Sequence, residues 1–404
     1  MRGLLARDPG QPGQEVYLTI DRDLQRQAYE MLADQSAALV MLDVQSGDVL
    51  ALLSTPGFDP NAFNTGVAPD QWKAWNEDDH KPLINKALSG IYPPGSTFKP
   101  VTALSGLESG ALTPETRFSC GGGMAYGGRV FHCWKRGGHG SLDLRGAIQH
   151  SCDVYFYNAA LRTGIVAIHK TSLKLGLGAP TGIEIPGEKS GLIPSEAWKL
   201  ATYHDRWHLG EVLSAGIGQG FIVATPMQLA LATARMAGGL NIKPRIVHTI
   251  GGHALPRVAP ERLDVLPEHL AVVRDGMNKV ANEPGGTAYT WRIMEEGFKM
   301  AGKTGTAQVR VITAAERAGG VRKNEGLPWK LRDHGLYIAY APVEAPRYAC
   351  AIVIEHGAVA AHPNVSIVRD LLLYAQKRDP LRMPTAYPVT EAAAGAPVRP
   401  GAAR

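Results

Sequence analysis

The chain has 404 residues, of which 45% are apolar and 20% charged, and 42 basic against 37 acidic side chains leave a net charge of +5. That is room for one large domain or two ordinary ones around a sizeable core, and the charge surplus is too small and dispersed for a nucleic-acid-binding face. No run reaches the roughly 18 to 20 apolar residues that span a bilayer, and the opening Met1-Arg2-Gly3-Leu4-Leu5-Ala6-Arg7 lacks the apolar core of a signal peptide.

From the start, Glu15-Val16-Tyr17-Leu18-Thr19-Ile20 reads as a strand, and Asp21 is a good N-cap for a helix through Leu24, Ala28, Tyr29 and Leu32. Two apolar runs follow, Ala37 to Val44 and Val49 to Leu53. The turn Gln45-Ser46-Gly47-Asp48 between them makes a β-hairpin. From about 65 to 290 the pattern is mostly helical, divided by Gly and Pro. Thr225-Pro226 opens one largely buried helix, with the cap followed by Pro at the first helical position, and 266–281 fits another. Strand signals return at Lys299 to Val311, Leu336 to Ala341 and Tyr348 to Glu355, before a helix from Val365 to Lys377. After Asp379 the chain is rich in Pro, Ala and Gly, so 380–404 is expected to be a disordered tail. Strands at both ends with helices between predict an α+β fold. A single antiparallel sheet would draw on both ends, with a helical subdomain inserted between its strands and a site in the crevice.

Three constellations bear chemistry. In Tyr92-Pro93-Pro94-Gly95-Ser96-Thr97-Phe98-Lys99, Ser96 opens a helix and Lys99 lies three residues on, on the same face. A neutral lysine there could take the serine proton, and the positive helix end favours the developing anion. Ser151-Cys152-Asp153 precedes an apolar run, and Lys303-Thr304-Gly305-Thr306 lies inside a strand, where small residues permit close backbone approach. Each has a plain alternative when taken alone: a helix cap, a solvated charge, a strand lysine.

Together, in that order and on those elements, they resemble the S-x-x-K, S-x-D and K-T-G signature of penicillin-binding proteins and class A β-lactamases. Further stretches extend the likeness over roughly residues 14–378: Leu18-Thr19-Ile20-Asp21, Ser54-Thr55-Pro56-Gly57-Phe58-Asp59-Pro60, Gly216-Ile217-Gly218-Gln219-Gly220, Ala224-Thr225-Pro226, Ala307-Gln308-Val309 and Leu331-Arg332-Asp333-His334. The chain is similar to the class B penicillin-binding proteins of the cell-elongation machinery, the penicillin-binding protein 2 family. The resemblance implies the serine β-lactamase and penicillin-binding-protein transpeptidase fold, with a five-stranded antiparallel sheet over 1–379 and the helical subdomain at about 65–290. It implies a D,D-transpeptidase needing no cofactor for catalysis. Ser96 would attack the penultimate D-alanine of a D-Ala-D-Ala stem peptide, with Lys99 as general base. Ser151 and Lys303 would pass a proton to the departing amine. The amides of Ser96 and Thr306 would form the oxyanion hole, and Lys303, Thr304 and Thr306 would hold the terminal carboxylate, around Gly305. β-Lactams would acylate the same serine. Most of the superfamily has Asn where this chain has Asp153; an ionised Asp can only accept, so it could pair with Lys99 or Lys303.

The family carries an N-terminal membrane anchor and a pedestal domain ahead of this region, so the sequence is expected to be the catalytic part of a longer protein. The expected setting is therefore the periplasmic face of the inner membrane, with a membrane glycosyltransferase and elongation-complex proteins as partners. Rival readings are a D,D-carboxypeptidase, a β-lactamase-like hydrolase and a non-catalytic β-lactam sensor.

Cys120, Cys133, His139 and Cys152 read C-x12-C-x5-H-x12-C across a Gly-rich loop. Cys3His is a standard structural zinc set. A disulfide such as Cys120–Cys133, or simply buried thiols, are the alternatives. The resemblance adds that some elongation-type enzymes carry zinc at matching positions. Because Cys152 lies inside the S-x-D segment, a metal would fix Ser151 and Asp153. Cys350 is expected to be a buried strand residue. His204, His208 and His253 have no motif around them, and Trp134, Trp207 and Trp329 are expected to pack or to wall a groove.

Overall fold

In the computed structural model the apolar runs at the two ends of the chain meet in one sheet. It describes residues 10, 12–310, 312–313, 316, 319–359 and 362–380. Apart from residue 380, the expected tail lies outside the described residues. The strands are β1 (Ala37–Asp43), β2 (Val49–Thr55), β3 (Ala301–Ala307), β4 (His334–Ala341) and β5 (Tyr348–Ile354). Their order is β3-β4-β5-β1-β2, every neighbour antiparallel.

Strands β1 and β5 are buried at every position and show no in–out alternation. Helices cover both faces, which is why these segments read as continuous apolar runs. The principal helices are α1 (Arg22–Leu32), α2 (Lys99–Glu108), α3 (Asp153–Lys174), α4 (Pro226–Gly238), α5 (Pro267–Asn282) and α6 (Pro363–Arg378). Helices α1 and α6 pack on the sheet and on each other, while α4 and α5 pack on it together with α2 beyond. Local signals set the helix ends. Asp21 accepts the Leu24 amide at 2.8 Å to cap α1, and Thr225 and Gln228 form a capping box ahead of Pro226 in α4.

The first strand departs from expectation. Val16–Leu18 pairs with Val247–Ile250 in a separate small sheet. The free edge of β2 is already occupied, since the Gln25 side chain donates to the Leu52 carbonyl and accepts its amide, both at 2.8 Å. A side-chain amide thus stands in for a strand neighbour and blunts the edge. Strand β3 stops at Ala307, short of Val311, because its partner β4 runs out at His334 and the Val309 amide turns to Asp333 at 3.1 Å. The helical middle also holds short strands, Phe118–Cys120 with Gly140–Leu142 and Gly123–Tyr126 with Arg129–His132, which shape the cysteine loop. Among the described residues no helix is long and apolar enough to cross a membrane.

His334 opens β4, and its Nδ1 accepts the His356 amide at 2.9 Å. Burial, then the neighbouring His356, push its imidazole down to about 4, against a smaller opposing pull from Glu355. The unfolded chain therefore binds the extra proton between about 4 and 6.5, so stability rises with pH across that window. Denaturant titrations from pH 7 to pH 4 should show a loss of at most about 3 kcal/mol that His334→Gln flattens. An unaltered slope in the variant would remove His334 as its source.

Candidate active site

Two elements fix the Ser96 turn. Residues Gly95–Phe98 form one 3₁₀ turn that runs into α2, and the Lys99 amide donates to the Ser96 carbonyl. In a 3₁₀ turn residues i and i+3 eclipse, so S-x-x-K places Ser96 and Lys99 on one side. The turn lies against β3. A side chain at Gly305 would come within 2.6 Å of Thr97 Cγ2, and one at Gly95, where φ is +53°, would strike the Thr306 carbonyl. Glycine at both positions is what lets the turn and the strand touch.

Lys99 is fully buried, and its Nζ donates to the Ser151 carbonyl at 2.8 Å, to Ser151 Oγ at 3.1 Å and to Asp153 Oδ1 at 2.7 Å. Three acceptors match the three N–H groups of an ammonium. Of the two partners open to Asp153 in the sequence, the structure selects Lys99. Lys303, also fully buried, reaches Ser151 Oγ at 2.9 Å and the Thr304 carbonyl at 3.0 Å. Burial, then the Lys99 charge, hold the Lys303 amine well below the usual lysine range, against a smaller pull from Asp153. One hydroxyl, Ser151 Oγ, thus stands between a paired lysine and an unpaired one. Ser151 itself has φ +53°, a left-handed conformation unusual for a residue with a side chain.

This asymmetry has a stability consequence. The Lys303 proton affinity is lower in the folded than in the unfolded chain, so its burial destabilises the fold at neutral pH, and stability recovers as pH rises toward 10.5. Lys303→Met is therefore expected to melt no lower than the parent at pH 7. Its advantage should shrink toward pH 10.5, while penicillin acylation falls by about 10² to 10⁴. A variant that melts well below the parent would contradict this.

Thr304 and Thr306 lie on the opposite face of β3 from Lys303. Thr304 Oγ1 contacts Thr287 Oγ1 at 2.7 Å, and Thr306 is exposed. The Thr306 carbonyl accepts from Gln219 Nε2 at 3.2 Å and lies against Gly95 of the Ser96 turn. On a strand the N–H and C=O of one residue point the same way, so the Thr306 amide also faces the open edge beside the Ser96 turn.

The cysteine loop adjoins this cleft. Cys152 caps α3, its sulfur accepting the Tyr155 amide at 3.4 Å. The ligand atoms of Cys120, Cys133, His139 and Cys152 all lie within 4.8 Å of one another. His139 Nδ1 is 3.5 Å from Cys133 Sγ and 3.7 Å from Cys120 Sγ. All four cysteines of the chain are free thiols in the structure, and Cys350 is buried in β5. Trp134, next to Cys133, does more than pack: its amide donates to Asp153 Oδ2 at 2.9 Å, and its indole to the His150 and Ser151 carbonyls at 3.1 Å.

Residues 37–373 match the penicillin binding protein transpeptidase domain. The chain belongs to that family. It is similar to the peptidoglycan D,D-transpeptidase MrdA of Acinetobacter baumannii, at 36% identity over 99% of this chain and 60% of the relative. It is also similar to a crystal structure of Pseudomonas aeruginosa PBP2 in complex with WCK 5153, at 34% identity and a TM-score of 0.80 over 91% of this chain and 79% of that one. The complex of PBP2 and MreC from Helicobacter pylori matches at 30% identity and a TM-score of 0.80, over 90% of this chain and 64% of the other. The chain thus spans about three fifths of the length of the curated relatives it matches. The resemblance to penicillin-binding protein 2 holds, as does the expected transpeptidase fold with its five-stranded antiparallel sheet.

Two residues beside the cleft, Gln219 and Thr287, were not assigned a role from the sequence, and Trp134 was expected only to pack or to wall a groove. Gln219 sits in the quoted Gly216-Ile217-Gly218-Gln219-Gly220 stretch, which was a signal. Thr287 and the Trp134 amide had none, since both depend on where loops cross.

Proposed function

We propose that this chain is the catalytic part of a serine D,D-transpeptidase that cross-links peptidoglycan through an acyl-enzyme on Ser96. The supporting observation is the position of Ser151 Oγ, 3.1 Å from Lys99 Nζ and 2.9 Å from Lys303 Nζ, beside the Ser96 turn.

The proton path follows from that position. Lys99 holds three acceptors as an ammonium, so it must release a proton before it can take one. The substrate's terminal carboxylate, held by the Thr304 and Thr306 hydroxyls within charge range of Lys303, raises the proton affinity of Lys303. One proton then shifts from Lys99 to Ser151 Oγ while the Ser151 hydroxyl proton moves to Lys303. Neutral Lys99 accepts the Ser96 proton as Ser96 Oγ attacks the penultimate D-alanine carbonyl. The developing oxyanion is met by the amides of Ser96 and Thr306. Lys303, now an ammonium, protonates the departing D-alanine amine through Ser151. The acyl-enzyme is resolved by an amine from a second stem peptide, and a β-lactam would be opened by the same attack.

The Cys120, Cys133, His139 and Cys152 set fits zinc. A tetrahedral site with Zn–S near 2.3 Å and Zn–N near 2.0 Å places sulfur and nitrogen ligands about 3.5 Å apart and two sulfurs about 3.8 Å apart. The His139 contacts at 3.5 and 3.7 Å are of that size. Zinc there would be structural, fixing the loop against α3. The proposed setting is the periplasmic face of the inner membrane. The proposed partners are a membrane glycosyltransferase and MreC-like proteins of the elongation complex, by analogy with the Helicobacter pylori PBP2 complex.

The test supplies D-Ala-D-Ala stem peptides with an acceptor amine. The proposal expects D-alanine release coupled to a cross-linked product and a long-lived penicillin adduct. Release to water alone would indicate a carboxypeptidase and fast penicillin turnover a β-lactamase. Labelling with no stem-peptide product would indicate a sensor.

A further inference from the structure

Trp134 lies where the cysteine loop crosses the Ser151 turn, and both of its N–H groups are used there. The amide donates to Asp153 Oδ2 at 2.9 Å. The indole donates to the carbonyls of His150 and Ser151, each at 3.1 Å. The same Ser151 carbonyl accepts from Lys99 at 2.8 Å. Core packing does not explain this placement, because the residue is 60% exposed.

The turn it grips needs support. Ser151, at φ +53°, holds a conformation that a residue with a Cβ keeps only where its surroundings enforce it. Its hydroxyl must also stay within reach of two lysines on different elements, Lys99 on α2 and Lys303 on β3. Asp153 is held in a similar way. With one oxygen on the Trp134 amide, the other is directed to Lys99. This gives a reason for aspartate at 153: both oxygens accept, whereas an asparagine would set its NH₂ against either the Trp134 amide or the Lys99 ammonium.

We propose that Trp134 is a positioning residue for acyl transfer, holding Ser151 Oγ between Lys99 and Lys303 through its indole and aiming Asp153 at Lys99 through its amide. The inference rests on the reading of Ser96 as the acylated serine. Trp134 acts through Ser151 and Asp153 and does not touch the reacting atoms. The two contacts can be separated by experiment, because any substitution at 134 except proline keeps the amide while only some keep the indole donor.

The experiment measures penicillin acylation by stopped flow, separating the rate constant at saturation from the half-saturating concentration. Trp134→Phe removes the indole N–H. A second variant carries β-(3-benzothienyl)alanine at 134, which keeps the bicyclic shape and lacks only the N–H, and it decides the matter if the phenylalanine variant folds poorly. The saturating rate constant is expected to fall roughly tenfold, the scale of one lost hydrogen bond in a charged network. The half-saturating concentration and melting temperature should stay at parental values. In a Ser151→Ala background, with no hydroxyl to position, the same change should cost less than about twofold, because residues acting as one unit are not additive. An unchanged rate constant, an effect on half-saturation alone, or an equal fall in both backgrounds would overturn the role of Trp134 and leave Ser96 in place. A parent chain that takes no acyl group at all would overturn both readings.

Discussion

Lys99→Met is expected to lose both activity and stability, whereas the same substitution at Lys303 loses activity alone. Lys99 and Asp153 form a buried pair at 2.7 Å, with side-chain exposures of 0% and 12%. Removing the cation strips Asp153 Oδ1 of its partner and leaves Oδ2 on the Trp134 amide. Breaking one side of a buried pair typically destabilises by about 3 to 5 kcal/mol, and the partial exposure of Asp153 places this case toward the lower end. Methionine keeps the volume, so cavity formation adds little. Acylation of Ser96 should slow by about 10³-fold or more, because the group proposed to take its proton is gone. Among the described residues Lys303 has no carboxylate at hydrogen-bond distance, so its replacement relieves a desolvated amine instead. Parallel melting curves and penicillin-labelling rates of the two variants decide the point. Equal destabilisation at both positions would contradict the division of roles between the lysines.

Removal of the proposed zinc from the cysteine loop should reach the active site without touching it. Cys152→Ser is the sharper variant, because serine is itself a good N-cap and preserves the start of α3. Only ligation is lost. The Gly-rich loop from Cys120 to His139 packs Met124, Tyr126 and Phe131 partly against the core, and the proposed zinc would tie it down at four further points. The route to the cleft is short: Cys133 precedes Trp134, whose amide holds Asp153, and Cys152 separates Ser151 from Asp153. Chelated parent and Cys152→Ser are expected to acylate roughly 10- to 100-fold more slowly, with zinc restoring the parent and not the variant. His139→Ala should behave alike. Unchanged acylation kinetics in a metal-free, well-folded chain would reject the coupling.

Much of this architecture was legible because its signals are local. The hairpin of β1 and β2, the cap at Thr225 and the apolar strands β4 and β5 depend on short-range patterns, and the structure places each where the sequence does. The chemistry-bearing residues were legible for another reason. Serine and lysine one turn apart, and glycine after Lys303-Thr304, are what a cleft between helix and strand requires. What was hidden depends on distant crossings. The side chain that closes the β2 edge, Gln25, carries no pattern, so Val16–Leu18 could not be assigned to its own sheet. The choice of Lys99 over Lys303 by Asp153 turns on differences of a few ångströms among three buried groups. Trp134 resembled any partly exposed aromatic until its two donors were seen to meet the Ser151 turn.

We propose that Ser96, Lys99, Ser151 and Lys303 form one acylating cleft. The most direct test is mass spectrometry of the intact chain and of its peptides after brief exposure to penicillin. One acyl group per chain is expected, on the peptide carrying Ser96, and none on Ser96→Ala. No adduct at any concentration, or an adduct that survives Ser96→Ala, would contradict the account.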